Sequence, residues 1–324
     1  MNNIINEFYI INRFFKKKIN DKCVKLGIGD DCALLSVNSN KYFIAISTNS
    51  LVSGIHFLPN TNPSDLGYKI VVVNVSDIMA MGAKPKWITI SLILPKYNEY
   101  WLSLFSNELF KQLNYYNIYL IGGDLSKGKL LSITATIYGI IPINKQLTKS
   151  NMNINDMIYV TGTLGDSAYG LEILKNNIKI SNRKHKLYFI NKHLRPNPPL
   201  KFSQKIRIIA NSATDISDGI LKEIHSMLID TKYSAKIYLN YLPLSKKLKK
   251  YVNYNDALNL VCNSEDYELC FTIKKNNINL LHKLNKNTKI TYIGKIIPYI
   301  GKKLLLLNYN SSLLKNPLGY DHFN

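Results

Sequence analysis

Apolar residues change their period several times along the chain, and each change marks an element. Ile4, Phe8, Ile11 and Phe15 recur at helical spacing, which predicts an amphipathic first helix. KYFIAIS, residues 41–47, combines β-branched and aromatic residues and reads as a strand ending at STNS. Residues 64–81, SDLGYKIVVVNVSDIMAM, read as a helix capped by Ser64, with Ile70, Val73, Asp77, Ile78 and Met81 on one face. That spacing puts a carboxylate, Asp77, on or beside an apolar stripe. A strand comes next in WITISLILP (87–95), then a helix kept in period by Leu102, Phe105, Leu109 and Leu113. IYLIGG (118–123) is a strand running straight into Asp124, and KLLSITATIYGII (129–141) is another.

Over PINKQLTKSNMNIND, residues 142–156, the chain turns polar and loses periodicity, so domains of 1–146 and 147–324 are expected. A second run of alternating elements succeeds it: strand DMIYVTG, helices from about Asp166, near 200–210 and from about Ser217, then strands YELCFTI and ITYIGKI. LRPNPP (194–199) is the strongest loop signal in this half. The pattern is that of a mixed α/β (α+β) protein, and 324 residues suffice for two domains.

Hydrophobic residues at 46 % and aromatics at 11 % allow a packed core and argue against general disorder. The formal charge of +21 invites a nucleic-acid reading. The basic residues argue against it, because only Arg13, Arg183, Arg195 and Arg207 carry the planar fork that phosphates and bases favour. Lysine is spread through helices, strands and loops alike, which resembles a coding bias more than a binding surface. Cys23, Cys32, Cys262 and Cys270 form no CxxC pair and no zinc spacing, so reduced thiols of a cytoplasmic protein are expected. In MNNIINEFYIINRFFKKK the charges come after the apolar residues, the reverse of a secretory signal, and no run of about 18 apolar residues suggests a membrane span.

Acids beside small residues recur at strand ends and helix starts: Asp30 and Asp31 in GIGDD, Asp124 in GGD, Asp215 and Asp218 in DISDG. Each alone also reads as a turn or an ordinary helix start. Taken together, with no His or Cys cluster beside them, such hard oxygen ligands suit magnesium rather than zinc. Magnesium in turn implies phosphates, since it seldom occupies an all-protein cage. Gly122 and Gly123 would let backbone approach a ligand, and Ser217 is a plausible cap for a helix starting at Asp218. The chain has no GxxxxGK[ST], no HRD or DFG set and no GxSxG, so nucleotide chemistry would need another scaffold.

GIGDDCALL, STNSLVSGIHF, NVSDIMAMGAKP, LIGGD, YVTGTLGDSAYGL, DISDG, EDYELCF and the terminal GYDHF, in this order, resemble bacterial thiamine-monophosphate kinase over nearly the whole chain. The resemblance implies direct in-line transfer of the ATP γ-phosphoryl group to thiamine monophosphate with several magnesium ions. It also implies an aminoimidazole-ribonucleotide synthetase-like fold, in which N-terminal strands of two chains pair into a barrel across a homodimer. By matching position, Asp31, Ser47, Thr48, Asn49, Asp77, Asp124, Asp215 and Asp218 fall at magnesium positions, with Asp30 beside them. Gly123, Asp124, Lys149 and Ser217 fall at ATP contacts; His56, Glu265 and Tyr320 fall at thiamine-phosphate contacts. No acid or base residue is expected, because the accepting phosphate oxygen is already ionised.

Three motifs depart from the family pattern. STD is STN here, so Asn49 replaces an acid; Lys149 stands for Arg in LTR; and Asn263 and Ser264 replace the glycines of GGEDYEL. An active but weaker enzyme is expected. Competing readings are a related ATP-dependent synthetase of the same superfamily, a basic RNA-binding protein and a decayed enzyme.

Overall fold

A computed structural model describes residues 22–26, 29–36, 41–285, 287–308 and 319. The predicted first helix and Tyr320 lie outside them. Strands β1 (Val24–Leu26), β2 (Ala33–Leu35), β3 (Tyr42–Val52), β4 (Lys84–Leu94), β5 (Tyr119–Lys127) and β6 (Ser132–Pro142) form one sheet in the order β1-β2-β3-β6-β4-β5. Its pairings are antiparallel except β4 with β5. β3 does not stop at STNS. It pairs with β6 along its whole length, from Tyr42 opposite Pro142 to Val52 opposite Ser132. Cross-strand hydroxyl pairs accommodate the polar residues: Thr48 meets Thr136 at 2.9 Å and Ser50 meets Thr134 at 2.8 Å. Because side chains alternate along a strand, Ser47 and Asn49 project from the opposite face to Thr48 and Ser50.

Helices α1 (Pro63–Ala80) and α2 (Glu99–Tyr116) lie on the Ser47 side. Asn62, not Ser64, caps α1: its side-chain oxygen accepts from the Ser64 N–H at 2.9 Å, and Pro63 takes the first helical position, where no N–H is needed. α1 is buried nearly all round, which is why its apolar residues run continuously through Ile70, Val71, Val72 and Val73. Gly67 lets α2 approach backbone to backbone, since a Cβ there would stand 2.3 Å from the Phe105 carbonyl oxygen.

A second sheet comprises β7 (Met157–Thr161), β8 (Ala210–Asp215), β9 (Tyr233–Tyr238), β10 (Leu269–Ile273), β11 (Ile290–Pro298) and β12 (Leu304–Leu307), in the order β12-β9-β11-β7-β10-β8. Only β9 and β12 pair in parallel. Around it lie α3 (Asp166–Leu174), α4 (Arg183–Leu194), α5 (Leu200–Ile206), α6 (Ile220–Leu228), α7 (Tyr254–Cys262) and α8 (Ile278–Leu284). Ile158, Val160 and Cys270 face one core with α3, α6 and α7; Tyr159, Leu269 and Phe271 face another with Phe202, Ile206 and Leu281. Met79 of α1 joins that second core, so α1 is shared between the two sheets. Arg195 of LRPNPP adds a further tie, its Nε donating to Asp65 at 2.6 Å and its Nη1 to Glu108 at 3.3 Å.

Two helix expectations shift. The helix near 200–210 ends at Ile206, and the chain enters β8 at Ala210. The helix expected from Ser217 starts at Ile220, because Gly219 caps it with φ +102, a conformation that favours glycine. Among the described residues no helix is long and apolar enough to cross a membrane.

Candidate active site

Side chains from both sheets meet around the C-terminal half of α1. Asp77 accepts at Oδ2 from Ser47 Oγ at 2.5 Å and from Asn49 Nδ2 at 2.7 Å, both on β3. Ser76, one residue earlier, donates to Asp215 Oδ2 at the end of β8 at 2.6 Å. The turn between β1 and β2 brings Asp30 and Asp31. Asp30 is tied by both oxygens, one to the N–H of Asp31 and one to the N–H of Lys149, each at 2.9 Å. Lys149 Nζ reaches Asp31 Oδ1 at 2.8 Å and lies 4.0 Å from Glu223 Oε2. Thr148, paired beside Ser212 at β8, anchors that lysine.

Five acids therefore surround one buried cation. Burial pushes Asp77 up to about 7, with Ser47 and Asn49 opposing the shift. Burial, then Asp31, raises Asp30 to about 6; burial raises Glu223 to about 7, with Lys149 opposing. Asp215 is raised well above the ordinary range by burial and then by Asp31, Asp77 and Glu223. Burial would lower Lys149, but Asp31 and then Glu223 hold it well above the usual lysine range, so it stays charged. Burial and mutual repulsion disfavour ionising these carboxylates together. Asp31 Oδ2 is buried and accepts no hydrogen bond among the described residues.

A second cluster lies nearer the start of α1. Lys69 Nζ donates to Glu265 Oε2 at 2.8 Å. Burial would raise Glu265, but the Lys69 ammonium brings it below the usual carboxylate range. His56 accepts at Nδ1 from the Val52 N–H at 3.1 Å, which leaves the ring proton on Nε2. His56 lies within electrostatic reach of Glu265. Gly319, at φ +78, packs so tightly on the Asp218 segment that a Cβ would stand 2.2 Å from the Asp218 carbonyl oxygen.

Of the other expected residues, Asp124, Gly123 and the Thr48 hydroxyl stand apart from the acid cluster, while Ser217 and Asp218 border it through Glu223. Asp124 lies on β5, exposed throughout its length, and accepts from Ser126 at 2.7 Å. Gly123 is needed by the sheet itself, since a Cβ would stand 1.9 Å from the Ile90 carbonyl oxygen of β4. Thr48 turns its hydroxyl to Thr136 on the far face of β3, so only its main chain borders the cluster. Asp218 pairs with Lys222 at 2.8 Å. Ser217 is no helix cap; it donates to Glu223 Oε1 at 3.4 Å. Glu223, Lys69, Ser76, Thr214 and His193 join the site without a signal in the sequence. Glu223 sits five residues beyond Asp218, where it reads as an ordinary first-turn acid of a helix.

The departures from the family pattern fit their places. Asn263 ends α7 at φ −126, so no positive φ is required of it. Ser264 is fully buried and accepts from the Ala168 N–H at 3.2 Å. Asn49 supplies a donor to Asp77 where a carboxylate would repel it.

Residues 29–141 match the family described as AIR synthase related protein, N-terminal domain. Over 98 % of this chain and 98 % of each relative, the chain is 45 % identical to thiamine-monophosphate kinase of Buchnera aphidicola subsp. Acyrthosiphon pisum and 43 % identical to that of Escherichia coli K12. The chain belongs to the thiamine-monophosphate kinase family. The solved thiamine-monophosphate kinase of Stenotrophomonas maltophilia K279a is 31 % identical, with a TM-score of 0.77 over 93 % of this chain and 96 % of that one. A structure described as AaThiL complexed with AMPPCP and TMP superposes with a TM-score of 0.84, at 29 % identity over 98 % of this chain and 97 % of that chain.

Magnesium fits what the thiamine-monophosphate kinase fold assembles here. Among the described residues no three Asp, Glu, His or Cys side chains converge as a ready-made cage. An ion bound there would take one or two carboxylates and be completed by phosphate oxygens. The unsatisfied Asp31 oxygen, beside carboxylates whose charge burial disfavours, is the group such an ion would complete.

Proposed function

We propose that this chain catalyses transfer of the γ-phosphoryl group of ATP to the phosphate of thiamine monophosphate, giving thiamine diphosphate and ADP. The observation that carries this reading is Asp31, whose buried Oδ2 has no partner among the described residues while its Oδ1 meets Lys149 at 2.8 Å. A buried carboxylate oxygen left unsatisfied is costly, and a divalent cation removes that cost.

Asp31, Asp77 and Asp215 would be shared among several magnesium ions, each held by one or two of them, with Ser47 and Asn49 beside them; Asp218, Asp124 and Thr48 complete the set on the family resemblance. Bound magnesium would neutralise and align the phosphate oxygens that repel one another. Lys149 contributes a permanent positive charge for the nucleotide phosphates; Ser217 lies beside Glu223, and Gly123 is assigned to the nucleotide on the family resemblance. The accepting phosphate oxygen carries its own negative charge, so no side chain has to remove a proton. His56, Glu265 and Tyr320 bind the thiamine portion. We place the division between the two functional domains at residues 146 and 147, the protein in the cytoplasm where ATP is made, and the active form as a homodimer.

Asp31→Asn and Asp77→Asn should each lower kcat about 100-fold or more, because charge stabilisation dominates this kind of transfer. Calorimetric binding of thiamine monophosphate should persist in both. Near-normal turnover in either variant contradicts the assignment of that residue to the metal site.

A further inference from the structure

Lys69 is buried to 2 % exposure in α1, yet it serves neither the acid cluster nor a helix end. A buried ammonium is expensive unless it is paired. Its partner, Glu265, belongs to the segment between α7 and β10, on the second sheet. The pair therefore bridges the two halves of the site. Glu265 Oε2 takes the Lys69 bond at 2.8 Å and a second from Tyr267 Oη at 3.4 Å. Tyr267 itself is held at φ +51, a left-handed conformation that costs energy for a tyrosine. Glu265 keeps 33 % of its side chain exposed, and among the described residues its Oε1 accepts no hydrogen bond. One oxygen is locked and the other is left over.

His193 lines the same cluster, buried and hydrogen-bonded through Nδ1 to Ser167 at 3.2 Å. Asp77 lies eight residues beyond Lys69 on one continuous helix, about 12 Å along its axis. α1 thus fixes how far Glu265 stands from the acids that face the phosphates.

We propose that Lys69 is a positioning residue for the organic substrate: it clamps Glu265 through Oε2 and leaves Oε1 for the cationic thiazolium ring or the amino group of thiamine monophosphate. This rests on the reading of Glu265 as a thiamine-phosphate contact. Lys69 touches neither substrate nor metal; it acts through Glu265 alone.

The test uses the full-length protein as wild type, Lys69→Met, Lys69→Arg, Glu265→Gln and the Lys69→Met/Glu265→Gln double variant. Calorimetry gives Kd for thiamine monophosphate, and steady-state rates separate both KM values from kcat. Lys69→Met should raise Kd and KM for thiamine monophosphate about tenfold or more, as removal of one partner of a buried charge pair does. KM for ATP and the magnesium dependence should stay within about twofold. Lys69→Arg, which retains the cation, should recover part of the lost affinity. The double variant should bind no worse than Glu265→Gln alone, because Lys69 has nothing left to position. If Lys69→Met does not fold, the double variant, which strands no carboxylate, is compared with Glu265→Gln in its place. Unchanged affinity in Lys69→Met, equal losses for both substrates, or losses that add in the double variant would overturn the proposal. A wild type that binds no thiamine monophosphate would overturn the proposed function itself.

Discussion

Asn49 stands at the proposed metal site where the family pattern has an acid. An aspartate there would face Asp77 with like charge, whereas the Asn49 amide donates 2.7 Å to Asp77 Oδ2 and 3.4 Å to Asn74. The metal-free site is thereby relieved of repulsion and loses one ligand charge. Asn49→Asp should lower the magnesium needed for half-maximal rate about fivefold or more, since ligand charge tunes affinity. It should also lower the melting temperature without magnesium. An unchanged magnesium dependence would contradict this role. His193 gives a pH signature: burial, then Lys69, lowers it to about 3 from its ordinary 6.5. The unfolded chain takes up a proton near 6.5 that the native state refuses, so this stability is complete above that pH and is lost as pH falls toward 3. Between pH 6.5 and 5 the loss is about 2 kcal/mol. Urea unfolding at pH 7.5 and 5.0 should show a flatter dependence for His193→Gln; identical dependence in both proteins would contradict it. Neither His193 nor Glu223 is readable in the sequence, because a buried ionisable residue looks like its exposed counterpart until tertiary partners are known. Asp77 is readable, because helical spacing alone puts it beside an apolar stripe.

α1 and β3 carry most of the site, and their sequences are unequally legible. The α1 pattern places the helix to within a residue at each end, and only its cap differs, since Pro63 takes the first helical position and Asn62 becomes the cap. β3 runs on through STNS because its polar residues find hydroxyl partners on β6, which a single strand cannot reveal. α4 carries no legible period: only Phe189 and His193 of it are buried, too few to set one. β5 is an edge strand exposed at every residue, including Tyr119, Ile121 and Leu125 at 58, 58 and 67 %. Such an edge invites pairing with another strand. A second copy of this chain is the occupant the family resemblance implies, and Leu125→Arg should convert a dimer to a monomer in sedimentation equilibrium. A wild type that sediments as one chain contradicts the homodimer.

The two halves of the molecule make one site because α1 belongs to both. Its Ser76 bonds to Asp215, its Lys69 to Glu265, and its Met79 packs in the core of the second sheet. The resemblance assigns Asp215 and Glu265 to the site; their partners on α1 need the fold. The net charge of +21 explains none of this geometry, and its lysine-rich origin leaves the acid cluster with Lys149 as its buried cation. The most direct measurement is product formation by the purified protein with ATP, magnesium and thiamine monophosphate, with thiamine diphosphate and ADP followed separately. Thiamine diphosphate and ADP should appear in equal amounts, only when magnesium and thiamine monophosphate are both present. ADP without thiamine diphosphate, or neither product from folded protein across a wide magnesium range, would contradict phosphoryl transfer to thiamine monophosphate.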